Sequence, residues 1–183
     1  MDSYKFLYNI LMTEDPEESI KSNLDELLKL IPELESEIGF EHKHPEHHLN
    51  VWEHTLCAIK NSIMDFDVRF ALLLHDIGKP ITCTEENGIR HFYNHPSVSA
   101  KMTIEIMNRL GFPENYKKEI HYLVLNHDYP IYEKDIINNY SLTVKRYEIQ
   151  KSDALAHHPD KLEKRERYLN NILLKIKRFE SQN

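Results

Sequence analysis

The apolar residues of this chain recur with a helical period over most of its length. One amphipathic segment runs from about Pro16 to Ile31, and its proline falls in the first turn, where proline is favoured. A second segment begins after Asn50, a residue type that caps helix N-termini, and its apolar side is formed by Trp52, Leu56, Ile59 and Ile63. Both segments are predicted to be helices that pack on a shared core.

The segment from Val68 to Leu74 is apolar on nearly every side, which is typical of a helix surrounded by other helices. It runs directly into His75 and Asp76. A carboxylate at that position is predicted to lie close to the core. This helix is therefore expected to be the centre of the fold.

The second half of the chain combines one irregular stretch with more helices. Between Gly78 and His95, an Asn87-Gly88 turn signal and a short extended piece from Ile89 to Tyr93 indicate a small hairpin. The helices predicted after it run from near Pro96 to Gly111, from Glu114 to about His127, from a cap at Ser141 past Asp153 to Ala156, and from Leu162 to Phe179. The complete pattern predicts an all-α fold.

Composition supports this prediction and limits the protein class. A length of 183 residues suits one domain, and only four glycines favour helices over a turn-rich β architecture. Cys57 and Cys83 are the only cysteines, so neither a disulfide framework nor a cysteine-based zinc module is expected. The longest apolar run, Phe70–Leu74, is far too short for a bilayer span. The N-terminal residues also lack a signal-peptide pattern, and we expect a soluble, unprocessed, cytoplasmic protein.

Charge narrows the choice of partners. The formal net charge of −7 disfavours non-specific binding to nucleic acid or to an anionic membrane, but it allows one small phosphorylated molecule to bind. The sequence contains twelve histidines that do not form a run. The functional question is whether these histidines meet in space.

Several predicted helices carry a titratable residue on an apolar face or at an end. These residues are His54, His75, Asp76, His95, His127 and Asp153. Burying an unpaired carboxylate or imidazolium is unfavourable by several kcal/mol, so such groups must contact each other or a cation. Imidazoles and carboxylates together suit Fe, Mn, Ni, Co or Zn better than Ca²⁺. Six ligands exceed the four of a closed tetrahedral site, which allows one ion or two ions bridged by a carboxylate.

The order of these residues carries a family resemblance. His54, then His75-Asp76, then Asp153 resembles the H…HD…D signature of the HD superfamily of metal-dependent phosphohydrolases, whose fold is an all-helical bundle. The string His75-Asp76-Ile77-Gly78-Lys79 resembles the HDIGK form of the motif. The resemblance spans residues 39–158 and is greatest to the HD domain of some bacterial tRNA nucleotidyltransferases and to stand-alone relatives. It implies one HD domain over residues 1–183, with N- and C-terminal helices packed on the motif core.

The resemblance also implies roles for individual residues. One metal ion would be held by His54, His75, Asp76 and Asp153. His95 and His127 match the extra histidines of the binuclear branch, with Asp76 as the bridge; in a mononuclear site they would only bind substrate or its water network. Lys79 would act in catalysis by contacting the substrate phosphate. Either Asp76 or Asp128 could take the proton of the attacking water, although a metal bridge is a poor free base.

Other residues near the motif leave alternatives open. His91 is expected in a loop or behind the ligands, or in contact with substrate. The cluster of His42, His44, His47 and His48 either lines the pocket mouth or is a solvated loop, and His157 and His158 are expected at a polar helix end. Asn94 stands where relatives often have glycine.

The expected activity is metal-dependent hydrolysis of a phosphate ester, of a nucleotide or a related small phosphorylated molecule, through a metal-activated water. The alternative is a non-catalytic HD module that binds metal and nucleotide for sensing or for partnering an RNA-processing enzyme. A metal-free structural bundle is the third possibility. The HExxH motif of zinc proteases and the P-loop are absent from the sequence.

Overall fold

The computed structural model describes residues 2–182 and is predominantly helical. Within this range it contains eleven α-helices, two short 3-10 turns at Pro32–Glu37 and Pro159–Lys161, and one two-stranded sheet. The helices are α1 (Ser3–Leu11), α2 (Pro16–Ser22), α3 (Leu24–Leu30), α4 (Val51–Lys60), α5 (Phe66–Leu74), α6 (Lys79–Thr82), α7 (His95–Arg109), α8 (Glu114–Leu125), α9 (Glu133–Asn138), α10 (Tyr140–Ala156) and α11 (Leu162–Glu180). The predicted all-α class is confirmed.

Side-chain caps define where the two central helices begin. The Asn50 side chain accepts a hydrogen bond from the Glu53 N–H at 2.9 Å, and the Glu53 carboxylate accepts one from the Asn50 N–H at 3.4 Å. This reciprocal pair is a capping box, and it fixes the start of α4. Asp65 caps α5 by accepting from the Val68 N–H at 3.0 Å. The predicted cap at Asn50 is confirmed.

Helix α5 lies at the centre of the larger core. Every residue from Val68 to Leu74 is buried, as the apolar pattern predicts. The buried Arg69 is satisfied by backbone carbonyls, because its guanidinium donates to those of Leu11, Thr13 and Ile63. Helices α1, α4, α8 and α10 pack around α5. A smaller apolar cluster joins α9, α10 and α11. The residues that directly follow α5 therefore lie inside the bundle.

A small antiparallel hairpin crosses one end of the bundle. Strand β1 (Thr84–Glu86) pairs with β2 (Ile89–His91). Asn87 and Gly88 connect them with φ values of 52° and 78°, as a tight hairpin turn requires. The Arg90 N–H donates to the Lys43 carbonyl at 3.1 Å, which fastens the hairpin to the loop before α4. The predicted hairpin is confirmed.

Several predicted boundaries are wrong for local reasons. The segment from Pro16 to Ile31 is two helices, because the Asn23 side chain donates to the Ser19 carbonyl at 2.8 Å and its backbone leaves the helical conformation. Ser141 is not the cap of α10; Asn139 accepts from the Leu142 N–H instead.

The inward face of α7 also differs from the prediction. The predicted face was Val98, Met102, Ile106 and Leu110, whereas the buried residues are Pro96, Ser99, Ala100, Thr103, Ile106 and Met107. Small side chains let this helix approach the turn after α5 closely, since the Gly78 N–H donates to Ser99 Oγ at 3.0 Å.

Among residues 2–182, every helix is too short or too polar to traverse a lipid bilayer.

Candidate metal centre

The six predicted metal ligands come from five parts of the fold and meet inside the bundle. His54 lies on α4 and Asp153 on α10, while His75 and Asp76 follow directly after α5. His95 is the first residue of α7. His127 lies in the turn two residues beyond α8, so the predicted extension of that helix to His127 is wrong. All six side chains are buried except that of His95, which is partly exposed.

One half of the cluster is formed by His54, His75 and Asp153. The Nε2 atom of His54 lies 2.8 Å from Asp153 Oδ1, and the Nε2 atom of His75 lies 3.6 Å from the same oxygen. Asp76 Oδ2 is 3.3 Å from His75 Nε2 and 3.7 Å from His54 Nε2. The ligand atoms of these residues are close enough to share one cation.

The other half is formed by Asp76, His95 and His127. Asp76 Oδ1 lies 3.4 Å from His95 Nε2 and 4.0 Å from His127 Nε2, and the two imidazole nitrogens are 3.2 Å apart. Asp76 thus directs one carboxylate oxygen toward each half of the cluster. A carboxylate placed in this way could serve two ions, one in each half of the cluster.

The protein fixes which nitrogen of each imidazole faces the centre. The Nδ1 atoms of His54, His75, His95 and His127 lie 3.2, 2.6, 2.9 and 2.7 Å from the carbonyl oxygens of Ala156, Leu72, Phe92 and Val124. A carbonyl oxygen only accepts, so each Nδ1 donates a proton to its carbonyl and each ring directs its Nε2 atom inward. Metal-binding histidines are oriented by the same kind of outer hydrogen bond.

These inward Nε2 atoms need a positive partner. His75 Nε2 and Asp76 Oδ1 are buried and make no hydrogen bond to residues 2–182, whereas Asp76 Oδ2 forms an ion pair with Lys79. In the metal-free protein a proton on His75 partly supplies this positive charge. Burial opposes protonation of His75, but Asp76 and Asp153 outweigh it and raise the pKa of His75 to about 9. A nitrogen and oxygen donor set with unpaired atoms fits a divalent transition metal.

The carboxylates of the cluster stay ionised because neighbouring histidines and Lys79 stabilise their negative charge. Burial penalises their charge, but His75 and Lys79 hold the pKa of Asp76 well below its usual range. His157 and His54 do the same for the pKa of Asp153. By contrast, burial and the neighbouring His75 lower the pKa of His127 to about 3, which keeps that imidazole neutral and able to bind a cation.

Comparison with known proteins identifies the family. The model of the HD domain matches residues 46–176, which is well over half of the chain. The chain belongs to the HD-domain family. HD domains form a superfamily of metal-dependent phosphohydrolases, and this chain has the buried histidine and aspartate clusters that could hold a metal ion.

The curated relatives that carry similar sequence are nucleotidyltransferases. The A-adding tRNA nucleotidyltransferase of Deinococcus radiodurans is 39% identical over 74 residues, covering 37% of this chain and 17% of the relative. The CC-adding enzyme of Thermus thermophilus is 34% identical over 104 residues, covering 53% and 24%. A multifunctional CCA protein of Acinetobacter baumannii is 35% identical over 101 residues, covering 52% and 24%. The chain thus spans less than a quarter of the length of these relatives.

Lys79 of the HD domain lies inside the centre rather than at its rim. It is 5% exposed, its Nζ lies 2.7 Å from Asp76 Oδ2, and it donates to His42 Nε2 at 3.0 Å. These contacts use two of the three N–H donors of the ammonium, which makes no further hydrogen bond to residues 2–182. One donor remains for a ligand in the adjoining cavity.

The centre opens into a cavity of about 360 Å³ that connects it with solvent. Its walls include the predicted substrate residue His91, which is half-buried at the end of β2, and the exposed carboxylate of Asp128. His44 and His47 also line it. His48 contacts the His158 ring instead. The histidine cluster before α4 is therefore divided between the cavity mouth and the surface.

Three buried residues near the centre were not predicted as part of it. His157 was expected at a polar helix end, yet it is buried, and its Nδ1 donates to the Asp153 carbonyl at 2.8 Å. His42 is buried and accepts from Lys79. Glu37 is completely buried, and its carboxylate oxygens make no hydrogen bond to residues 2–182. Burial, followed by the charge of Asp76, raises the pKa of Glu37 to about 8.

Proposed function

We propose that this HD domain is a phosphohydrolase that acts on a phosphate ester, of a nucleotide or a related small phosphorylated molecule. The observation that carries the proposal is the cluster of inward Nε2 atoms around the buried Asp76 carboxylate at the base of an open cavity. Such a cluster has a donor set for metal ions and space for a substrate on one side.

The same six residues would hold one or two divalent ions of Fe, Mn, Ni, Co or Zn. His54, His75, Asp76 and Asp153 would bind one ion, and Asp76, His95 and His127 would bind a second. Divalent ions in such a site supply Lewis-acid chemistry, because they lower the pKa of water and polarise phosphoryl oxygens. The carbonyl-bound Nδ1 atoms keep each imidazole in the tautomer that this binding requires.

Lys79 and His91 are proposed to bind and orient the phosphate end of the substrate. The Lys79 ammonium is a compact positive charge, and its remaining N–H donor can reach a phosphate oxygen in the cavity. Its contact with Asp76 keeps it next to the centre, where it would stabilise negative charge that develops on the phosphoryl group. His91 lies on the same cavity wall and supplies a further donor.

Asp128 is the proposed proton acceptor. It lines the cavity, whereas the oxygens of Asp76 and Asp153 lie among the histidine nitrogens. An exposed carboxylate beside the reacting water can accept its proton and release it to solvent. Asp76 remains a catalytic residue through its position between the two halves of the cluster.

A phosphatase screen after metal reconstitution tests the proposal. Mono-, cyclic and polyphosphorylated nucleotides are offered to the protein loaded with each metal, and release of phosphate or opening of the ester is measured. We expect turnover that is lost in His75→Ala and retained in His121→Ala, a histidine variant outside the cavity. Retained turnover in a His54→Ala/Asp153→Ala double variant would contradict the proposal.

A second function is favoured by the relatives that the chain matches. Two of these proteins are tRNA nucleotidyltransferases by name and the third is a multifunctional CCA protein, and the chain corresponds to 17–24% of their length. The domain would then bind metal and nucleotide without hydrolysis, for sensing or for partnering an RNA-processing enzyme. Nucleotide binding without turnover in the same screen distinguishes this function from the first. Neither function needs a membrane or direct binding of nucleic acid by this chain.

A further inference from the structure

An exposed tyrosine stands at the mouth of the cavity, close to the proposed phosphate site. Tyr93 is 64% exposed and lines the same cavity as Asp76 and Lys79. It precedes the ligand His95 by two residues, so their Cα atoms are at most about 7 Å apart.

The backbone around Tyr93 is held in place on both sides. The preceding Phe92 packs its ring 6.4 Å from the Phe40 ring and 5.7 Å from the His42 ring, measured between centroids. The following Asn94 has a φ of 61°, a conformation that asparagine and glycine adopt more readily than other residues. Asparagine is therefore compatible with this backbone position. Tyr93 is thus presented on a fixed backbone.

The Tyr93 ring lies parallel to the His91 ring, with centroids 5.4 Å apart and an interplanar angle of 5°, so the two rings overlap with a lateral offset. His91 in turn packs edge-on to His44, at 6.0 Å between centroids. The Tyr93 ring therefore has an aromatic neighbour on one side and a largely exposed aromatic surface.

We propose that Tyr93 is the stacking surface for a planar aromatic group of the ligand, namely a nucleobase. A ring stacked on a second ring is a common platform for a base, because every base has an aromatic face. The metal cluster and Lys79 line the same cavity as Tyr93 and are suited to the phosphate. A ligand that carries both a phosphate and a planar ring could contact both. The phosphate end of this inference rests on the proposed function.

Two ligands that differ only in the base provide the test. Adenosine 5′-monophosphate and ribose 5-phosphate share the sugar and the phosphate, and their dissociation constants with the Zn²⁺-loaded protein are measured by saturation-transfer NMR. We expect the adenosine compound to bind about tenfold more tightly, which corresponds to about 1.4 kcal/mol of stacking. Saturation of the adenine protons should accompany this binding.

Matched variants assign the effect to the aromatic ring. Tyr93→Phe should keep the tenfold preference, whereas Tyr93→Leu should weaken adenosine 5′-monophosphate about tenfold and leave ribose 5-phosphate unchanged. Tyr132→Leu is the control, because Tyr132 is comparably exposed and does not line this cavity. Equal affinity for the two ligands, no binding of adenosine 5′-monophosphate, or no effect of Tyr93→Leu would overturn the inference. An exposed tyrosine that serves a protein contact would give one of these results.

Measuring ligand binding and phosphate-ester hydrolysis separately distinguishes this inference from the proposed hydrolase activity. A protein that binds adenosine 5′-monophosphate through Tyr93 but hydrolyses no phosphate ester supports the stacking site and contradicts the hydrolase. A protein that hydrolyses phosphate esters but does not distinguish the two ligands supports the hydrolase and contradicts the stacking site.

Discussion

Each histidine ligand of the centre uses one ring nitrogen for the backbone and one for the cluster. Each Nδ1 donates to a different backbone carbonyl, so substitution of a neighbouring side chain does not remove these hydrogen bonds. The rings are therefore oriented before any ion binds. Such pre-orientation reduces the cost of assembling a metal site.

Asp128→Asn should separate proton transfer from metal binding. The amide cannot accept a proton, and removal of a general base typically lowers the rate about 10²–10⁴-fold. We expect kcat to fall by this amount while the metal content, measured by elemental analysis, stays the same. Asp25→Asn, an exposed change on α3, is the control. An unchanged kcat in Asp128→Asn would mean that another group takes the proton.

Glu37→Gln should change how stability depends on pH. The pKa of the Glu37 carboxyl is about 8 in the folded metal-free protein, against 4.5 as the ordinary value. Between these values the unfolded state binds fewer protons than the folded state, so Glu37 makes stability fall as pH rises. Glutamine does not titrate. As pH rises through this window, the free energy of unfolding of the variant should therefore increase relative to that of the parent by up to about 1.4 kcal/mol per pH unit.

Urea denaturation of the chelator-treated protein at several pH values measures this gain. Glu35→Gln lies in the same 3-10 turn and is exposed, so it should give no comparable trend. Parallel stability curves for Glu37→Gln and the parent between about pH 5 and about pH 8 would contradict the raised pKa.

At the scale of helices and loops, the centre depends on how closely α7 approaches the turn after α5. A Cβ atom on Gly78 would lie 2.8 Å from the Ser99 backbone nitrogen and 3.0 Å from the His95 carbonyl oxygen. Both atoms belong to the backbone of α7, so the helix itself would have to move. Gly78 thus allows His95 to reach Asp76.

Gly78→Ala should therefore weaken the His95 half of the centre and destabilise the fold. Overpacking of this kind typically lowers stability by about 1–3 kcal/mol. We expect a lower midpoint of urea unfolding and weaker binding of a second ion in a metal titration, with the first ion less affected. Ser97→Ala, an exposed change on the same helix, should alter neither quantity. A parent-like midpoint for Gly78→Ala would show that α7 can accommodate the methyl group.

Elements with a strong local signal were predictable from the sequence. The all-round apolar pattern of Val68–Leu74 predicted the central helix, and Asn50 predicted the start of α4 because the cap is formed within four residues. The break at Asn23 and the cap at Asn139 were missed, since side chains there compete with the neighbouring helix for backbone groups. Boundaries set by such competition carry a weak pattern.

Contacts between distant segments were harder to predict. The six proposed ligands were singled out because their order resembles a known family, not because spacing showed that they meet. The burial of His157 beside Asp153 was not predicted, because it depends on the His158 N–H donating to the Glu46 carbonyl at 2.9 Å. That bond joins the end of α10 to the loop before α4 and brings His47 to 4.4 Å from His157 between ring centroids. No periodicity in the sequence encodes it.

For the whole molecule, the net charge is −7, and the cavity does not carry an excess of positive charge. Its walls carry Lys79, Arg90 and Arg165 beside Glu46, Asp76, Asp128 and Asp153, together with six histidines. Attraction of a phosphate would therefore depend on bound metal ions and on Lys79, while the net charge would repel a large polyanion. The family match covers residues 46–176, and a single domain over residues 1–183 stays a prediction.

The central claim is that these six side chains bind metal ions inside the bundle. Anomalous diffraction from crystals grown with Mn²⁺ tests it directly, because the signal locates the metal itself. We predict anomalous density within bonding distance of the Nε2 atoms of His54 and His75 and of the carboxylates of Asp76 and Asp153. Crystals saturated with Mn²⁺ that show no anomalous density among those atoms would contradict the account.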